Sequence, residues 1–257
     1  MPDGASLHAL LSQLDEPFTG ELLFDQLADI VFFVKNAAGQ YVAVSQTLVQ
    51  RCGVRDKSQL LGRTSAEVFR PPFGENYVAQ DLKVIASGRP LLDQLELHFY
   101  PSWDVGWCLT TKLPLRGKRG TIVGLVGVSQ DLRLPDASKV AYKNVAAAVN
   151  YASANLSEPP TVMQLAAVAG MSRFQLDRRM RQVFGLTTGQ WILKLRIDAA
   201  RSQLRETSDP IATIAHETGY ADQSAFTRHF RQSTGLTPSE YRSAASSTAD
   251  VSSAGTR

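Results

Sequence analysis

The sequence has 257 residues, 44% of them hydrophobic, and its 27 basic and 24 acidic side chains give a formal net charge of +3. This length accommodates two domains, and the hydrophobic content is sufficient for a core in each. No run approaches the roughly 18 apolar residues of a membrane helix, and no basic segment of a secretory signal precedes the first apolar residues. Cys52 and Cys108 do not form a metal-binding spacing. We therefore expect a cytoplasmic protein with reduced thiols and no membrane partner.

The first half of the chain predicts a sheet with helices. Residues 5–29 have helical spacing, interrupted at Pro17–Gly20. Short helices over 46–70 and a longer helix over 74–87 separate two groups of strands. The predicted strands are residues 31–34, 41–44, 91–100, 106–115 and 121–130. This order predicts one five-stranded antiparallel sheet with helices packed on one face.

The second half is more basic than the first and is predicted to be entirely helical. Residues 1–135 carry 13 basic and 14 acidic side chains, whereas residues 136–257 carry 14 and 10. A helix is predicted over 139–156, and helices and turns over 161–245. Four arginines fall within residues 173–181. Charge alone leaves a nucleic-acid surface and an ordinary solvated helix face equally open.

The second half also repeats itself with a period of about 50 residues. Each copy has a first helix, a turn containing Gly170 or Gly219, and a second helix behind an N-cap residue, Ser172 or Asp222. The matching residues of the second helices are Leu176, Arg178, Met180, Arg181 and Gly185 in the first copy and Phe226, Arg228, Phe230, Arg231 and Gly235 in the second.

This spacing favours DNA binding by the second helix of each copy. Apolar residues four apart bury one face, so that the arginines point outward. An outward arginine in the major groove pairs with guanine or contacts phosphate. Between the copies, the amphipathic segment Thr187–Thr207 predicts a helix of roughly 30 Å, close to the roughly 34 Å that separates successive major grooves on one face of DNA.

Three segments of this region resemble the AraC/XylS family of bacterial regulators: LAAVAGMSRFQLDRRMRQVFG, KLRIDAARSQL and IATIAHETGYADQSAFTRHFRQSTGLTPSEYR. The resemblance covers residues 143–245 and implies a seven-helix fold with two helix-turn-helix motifs. It implies DNA-reading positions at Arg173, Phe174, Asp177, Arg178, Gln223, Ser224, Ala225 and Arg228, to which the outward spacing adds Arg181 and Arg231. The first motif departs from the family pattern at Arg179 and Met180. Two alternatives stay open there, since Phe174 is also compatible with a core position and Asp177 with local pairing to Arg173 or Arg181.

Residues 21–133 resemble a PAS domain in the segments LADIVFFVKNAAGQYVAVSQTLVQRCG, LLGRTSAEVF and WCLTTKLPLRGKRGTIVGLVGVSQDLR. The resemblance implies a cupped sheet with a small cavity that binds a ligand, or a module that only dimerises around a filled core. The candidate cavity residues are Phe33, Tyr77, Asp81, Leu109, Thr111 and Val126. Any cofactor is unknown. Neither haem nor flavin is supported, because helix 74–87 lacks histidine and neither cysteine has a flavin-adduct context; His98 is the remaining candidate haem ligand.

The sequence therefore predicts an α+β chain, with a PAS-like five-stranded antiparallel sheet followed by an all-α double helix-turn-helix domain. The predicted parts are a helical extension (1–20), the sensor domain (21–133), a linker (134–142), the DNA-binding domain (143–245) and a disordered tail (246–257). We expect a transcriptional regulator, not an enzyme, whose partners are double-stranded DNA, a small-molecule ligand, RNA polymerase and a second copy of the chain. Helix 139–156 is expected to carry the sensor state to the DNA reader.

Two other classes compete with this interpretation. A PAS unit that only dimerises would make the protein a constitutive or architectural DNA binder. A repair enzyme fused to a DNA reader would need an activated cysteine, and no histidine or cation adjoins Cys108 in the sequence to lower its pKa.

Overall fold

The computed structural model describes residues 11, 13–15, 20–69, 71, 73–99, 105–132, 143 and 145–253. Among these, residues 20–92 and 110–130 form one compact unit, and residues 93–99, 105–109 and 131–253 contribute to a second. The predicted linker 134–142 and most of the predicted extension 1–20 lie outside the described residues. No helix within the described part of the chain is both long and apolar enough to span a bilayer.

The N-terminal part of the chain contains the predicted five-stranded sheet, in the order β2-β1-β5-β4-β3. Strand β1 joins the hairpin to the rest of the sheet, because it pairs antiparallel with both β2 and β5. The elements are α1 (Glu21–Phe24), β1 (Ile30–Asn36), β2 (Tyr41–Val44), α2 (Gln46–Cys52), α3 (Ser65–Val68), α4 (Phe73–Ser87), β3 (Leu91–Phe99), β4 (Val105–Arg116) and β5 (Ile122–Asp131). This confirms the predicted order of strands and helices.

The β1–β2 hairpin forms where the sequence predicts it. The side chain of Asn36 closes the turn, since its Oδ1 accepts hydrogen bonds of 3.0 Å from the backbone N–H groups of Ala38 and Gln40. Such local bonding is the reason that asparagine favours turns. The turn fixes the register in which Phe33 opposes Val44, and this register decides which side chains of β1 face the core.

The core of the first unit lies on one face of the sheet. Phe33 opposes Gly127 and Lys35 opposes Leu125 across the β1–β5 pair, so these four residues share a face. Buried apolar side chains from β1, β2, β5 and the helices form one cluster: Val31, Phe33, Tyr41, Val44, Leu48, Val49, Leu60, Val84 and Leu125. The same face therefore carries both the apolar core and the charged residue Lys35.

Seven helices are described within residues 143–253, as the family resemblance implies. They are α5 (Ala146–Ala154), α6 (Val162–Val168), α7 (Arg173–Phe184), α8 (Thr188–Glu206), α9 (Ile211–Glu217), α10 (Gln223–Thr234) and α11 (Pro238–Ser253). Helices α6, α7 and α8 begin with reciprocal caps, in which Thr161, Ser172 or Thr187 pairs with a glutamine three residues later.

The end of the chain requires one correction. Helix α11 continues to Ser253, so the predicted disordered tail over 246–257 is corrected for residues 246–253. Neither glycine nor proline interrupts residues 246–253, so nothing in this segment breaks the helix that begins at Pro238. Residues 254–257 lie outside the described residues, as does most of the start of the predicted helix 139–156, so its role in transmission stays a prediction.

Candidate nucleic-acid interface

The first helix-turn-helix motif consists of α6, the turn around Gly170, and α7. The residues Leu176 and Met180 of α7 are buried, because their spacing of four places them on one face of the helix. The arginines of α7 lie on the exposed part of its surface: Arg173, Arg178, Arg179 and Arg181. The helix thus buries an apolar stripe and presents four cationic side chains to solvent.

The second motif, built from α9, the turn at Gly219, and α10, has the same division. Phe226 and Phe230 are completely buried, and Phe230 packs edge-on against the ring of Tyr241 at 5.5 Å between centroids. Arg228 and Arg231 are exposed. No ion pair between described residues engages either of them. Their charges are therefore available to a polyanion.

The remaining predicted DNA-reading residues lie at the first turns of α7 and α10. Gln223 and Ser224 are exposed and Ala225 is half-buried, beside the cap in which Asp222 accepts a hydrogen bond from the Ala225 N–H at 2.7 Å. The N-terminal turn of a helix carries partial positive charge and suits contact with phosphate and base edges. His229 adds no charge at neutral pH, since burial and the nearby Arg228 and Arg196 hold its pKa below its ordinary value.

Asp177 has a local partner that the sequence did not identify. Its carboxylate Oδ1 accepts hydrogen bonds from the Thr188 N–H, at 2.9 Å, and from the Thr188 hydroxyl. Burial tends to raise the pKa of Asp177, but these bonds, together with Arg173 and Arg181, outweigh burial and lower it. Asp177 thus pairs with Thr188, and it forms no ion pair with Arg173 or Arg181 among the described residues. Its hydrogen bond joins α7 to the start of α8.

Arg196 makes the corresponding connection between α8 and the second motif. Its Nε donates to the Thr218 carbonyl at 2.7 Å and its Nη2 to the Gly219 carbonyl at 2.6 Å. The guanidinium lies 3.7 Å from the centroid of the Tyr220 ring, within the range of a cation–π contact. Sequence reasoning missed Arg196, because the acceptors are backbone carbonyls 22 and 23 residues away. Helix α8 is therefore hydrogen-bonded to both motifs.

Phe174 is 78% exposed, which rules out the core position that the sequence left open. We expect Phe174→Ala to weaken binding to a cognate duplex by about 1 kcal/mol, roughly fivefold, through loss of apolar contact with a thymine methyl. We expect no loss of thermal stability, because the side chain buries little surface. The measurement pairs fluorescence anisotropy with thermal unfolding. A lower melting temperature with unchanged affinity would contradict the assignment.

The candidate cavity residues do not all share one face of the sheet. Val126 opposes Val34 rather than Phe33, so it lies on the face away from the core. On β4 the core-facing residue is Thr110, whose hydroxyl is 2.9 Å from that of Ser129, and Ser129 opposes Val31. Alternation then places Leu109 and Thr111 on the other face. The predictions for Leu109, Thr111 and Val126 are therefore wrong, because the sequence does not fix which residues of β4 and β5 face inward.

The other three candidates, and a cluster that the sequence analysis missed, belong to the core side. Phe33 and Asp81 are buried, and Tyr77 on α4 packs edge-on against Phe69 at 5.2 Å. Asp81 forms ion pairs with Lys35 and Lys112, at 2.7 Å for Lys112. The side-chain exposures are 1% for Lys35, 0% for Asp81 and 4% for Lys112. We call Lys35, Asp81 and Lys112 the lysine cluster.

Two models of known protein families match the chain, a helix-turn-helix domain over residues 165–244 and a PAS fold over residues 24–134. The regulatory protein SoxS of Salmonella typhimurium is 34% identical over 94 residues, which cover 37% of this chain and 88% of SoxS. A putative AraC-like transcription regulator of Streptomyces antibioticus is 35% identical over 98 residues, covering 38% of this chain and 32% of the relative.

A solved transcriptional regulator from Chromobacterium violaceum, with an AraC-type DNA-binding domain, is 32% identical. It covers 39% of this chain and 90% of its own, with a TM-score of 0.38. Matches to several curated relatives span less than half of the relative's own length.

Proposed function

Because the chain belongs to the AraC-type family of transcriptional regulators, we propose that it reads specific DNA sequences through both helix-turn-helix motifs. We further propose that its PAS unit senses a small molecule and joins two chains into a homodimer. The family and the relatives are transcriptional regulators, not enzymes. We propose a cytoplasmic location, where DNA and RNA polymerase are accessible.

The observation that carries the DNA-reading proposal is the duplication of one arrangement. In each motif, a helix with a buried apolar stripe exposes arginines and begins at a capped N-terminus. Phosphate contacts supply affinity that any duplex shares, whereas arginine contacts with guanine supply sequence preference. Two such helices, in motifs that are both hydrogen-bonded to α8, read two sites from a single chain.

Selection from a pool of random duplexes tests the proposal. The full chain is expected to enrich a defined sequence, and the enriched duplex should bind at least about a thousandfold more tightly than random DNA at physiological salt. The contradicting result is that no sequence is enriched and that salt weakens binding to all duplexes equally. The protein would then be a nonspecific DNA binder.

Exposed leucines at the start of the first unit support dimerisation. Leu22 and Leu23 on α1 are 81% and 62% exposed, and adjacent exposed apolar side chains are typical of a surface that a partner covers. We expect the full chain to sediment as a dimer at micromolar concentration, and the double variant Leu22→Glu, Leu23→Glu to sediment as a monomer.

The control for this experiment is Leu92→Glu, which replaces one other exposed leucine by glutamate and is expected to leave the dimer intact. A wild-type monomer would refute dimerisation. A dimer that survives both α1 substitutions would place the interface elsewhere.

A further inference from the structure

The lysine cluster places more positive than negative charge inside the first unit. Two ammonium groups, Lys35 and Lys112, share the single carboxylate of Asp81, and all three side chains are nearly inaccessible to solvent. Burial of a charge is costly unless an opposite charge accompanies it. When both lysines are charged, the cluster has an excess charge of about +1. Burial lowers the pKa of Lys35 to about 8, with Lys112 acting in the same direction against Asp81.

The hydrogen bonds of the cluster are also incomplete. Each ammonium group has three N–H donors. Lys35 donates to Asp81 and, at 2.6 Å, to Ser65, while its Nζ lies 4.1 Å from the centroid of the Tyr41 ring. Lys112 donates to Asp81 Oδ1 at 2.7 Å and to Gln80 Oε1 at 3.0 Å. Among the described residues Lys112 thus has two hydrogen bonds for three donors, and both oxygens of Asp81 are engaged.

Gln80 gives the cluster a neutral and replaceable acceptor. It lies on α4, one residue before Asp81, and is half-buried, whereas Asp81 is completely buried. Its amide oxygen accepts a hydrogen bond from Lys112, and this bond is part-buried. A carboxylate oxygen at this position would form a stronger bond with Lys112, because it would add the attraction between opposite charges to the hydrogen bond.

We propose that the lysine cluster binds a small monocarboxylate, whose anionic oxygens replace the Gln80 amide at Lys112 and neutralise the excess charge. This inference rests on the proposed sensing role and specifies its ligand class. A single negative charge matches the excess charge of the cluster. The Nζ of Lys35 lies 5.4 Å from the ring centroid of Phe33 and 4.1 Å from that of Tyr41, and Leu125 opposes Lys35 on β5. These apolar neighbours suit a ligand with an apolar or aromatic body.

A carboxylate built into the protein tests the site without knowledge of the natural ligand. Gln80→Glu retains the size of the side chain and places a carboxylate where the amide contacts Lys112. We expect a higher melting temperature at neutral pH for the full-length variant, because the added charge pairs with Lys112. An unchanged or lower melting temperature would overturn the proposal.

Externally added probes supply the second arm of the test. A panel of short aliphatic and aromatic monocarboxylates, such as butyrate and benzoate, is compared with the matched amides by thermal shift and calorimetry on the full chain. We expect at least one acid to bind tenfold or more tightly than its amide. Lys112→Met should reduce that binding at least tenfold, and Gln80→Glu should abolish it. The control Lys83→Met changes an exposed lysine of α4, the helix that carries Gln80, and should leave binding of the acid unchanged.

Two results of the panel would overturn the proposal: no acid binds better than its amide, or Lys112→Met binds the acids as well as the wild type does. The affinity for the selected duplex, measured with and without the bound acid, is a separate readout. An acid that binds through Lys112 without changing DNA affinity would support the site and refute the sensing role, so the two failures are distinguishable.

Discussion

Replacement of Arg228 by alanine is expected to weaken binding to the selected duplex by about 1–3 kcal/mol, a factor of roughly 5 to 150, and to relax specificity at one base pair. The side chain is exposed on α10, while Phe226 and Phe230 on the same helix form the core. Arg228 therefore has no packing role that its removal would disturb. The loss is expected in DNA affinity alone, with an unchanged melting temperature.

A matched control separates base reading from charge. Arg55→Ala removes the same charge at an exposed position of the first unit and is expected to leave sequence preference unaltered. Affinities are measured for the selected duplex, for each single-base variant of it and for random DNA. An equal loss on all sequences would show that Arg228 contacts phosphate only.

The largest expected effect on stability is that of Gly219→Ala in the turn of the second motif. Gly219 has a φ of +78°, and a Cβ there would lie 2.5 Å from both the Leu156 carbonyl oxygen and the Pro159 Cδ. The backbone conformation costs an alanine about 1–2 kcal/mol, and the overlap with backbone and a rigid ring adds about 1–3 kcal/mol. A total near 3 kcal/mol is expected to lower the melting temperature of the helical domain by roughly 10–20 °C.

Gly170, in the turn of the first motif, provides the matched control for this substitution. It also has a positive φ of +65°, but no atom lies within 4 Å of an added Cβ. Gly170→Ala should therefore cost only the conformational part, about 1–2 kcal/mol. Thermal unfolding followed by circular dichroism measures both variants. Equal losses of melting temperature in the two variants would show that overlap of the added Cβ with Leu156 and Pro159 adds nothing to the loss of stability.

The helical region was predictable because its signals are local and occur twice. Caps such as Ser172, turn glycines such as Gly170, and apolar pairs such as Leu176 and Met180 lie within a few residues of the elements they define. Repetition about 50 residues later distinguishes them from chance. The exposure of Phe174 was not predictable, since a residue in the first turn lies near the boundary between the buried and exposed faces.

The inner face of the sheet was predicted only in part, because it depends on pairing between distant strands. Phe33 and Asp81 were expected at a cavity and were found buried on the core side. Val126 was not, since its side is set by the register of β5 against β1 rather than by its own segment. Lys35 was missed, although it is two residues after Phe33 and alternation places both on one face. A lysine within the apolar strand IVFFVKN was the available signal.

The hydrogen bonds that connect α8 to the two motifs could not be predicted from the sequence, for a related reason. Asp177 and Thr188 are 11 residues apart, and Arg196 bonds to carbonyls of the next motif. Neither contact follows from helical periodicity. Both require the packing of consecutive helices, which fixes the partner that a polar side chain reaches.

Chemical footprinting of the full chain on its selected duplex tests the two-motif account most directly. Helix α8 has 19 residues and is therefore roughly 28 Å long, near the spacing of about 34 Å between successive major grooves. We expect each bound chain to protect two major-groove segments on one face of the duplex, about one helical turn apart. Arg178→Ala is expected to remove protection from one segment and Arg228→Ala from the other. Protection of a single major groove per chain, or loss of the same segment in both variants, would contradict reading by two motifs.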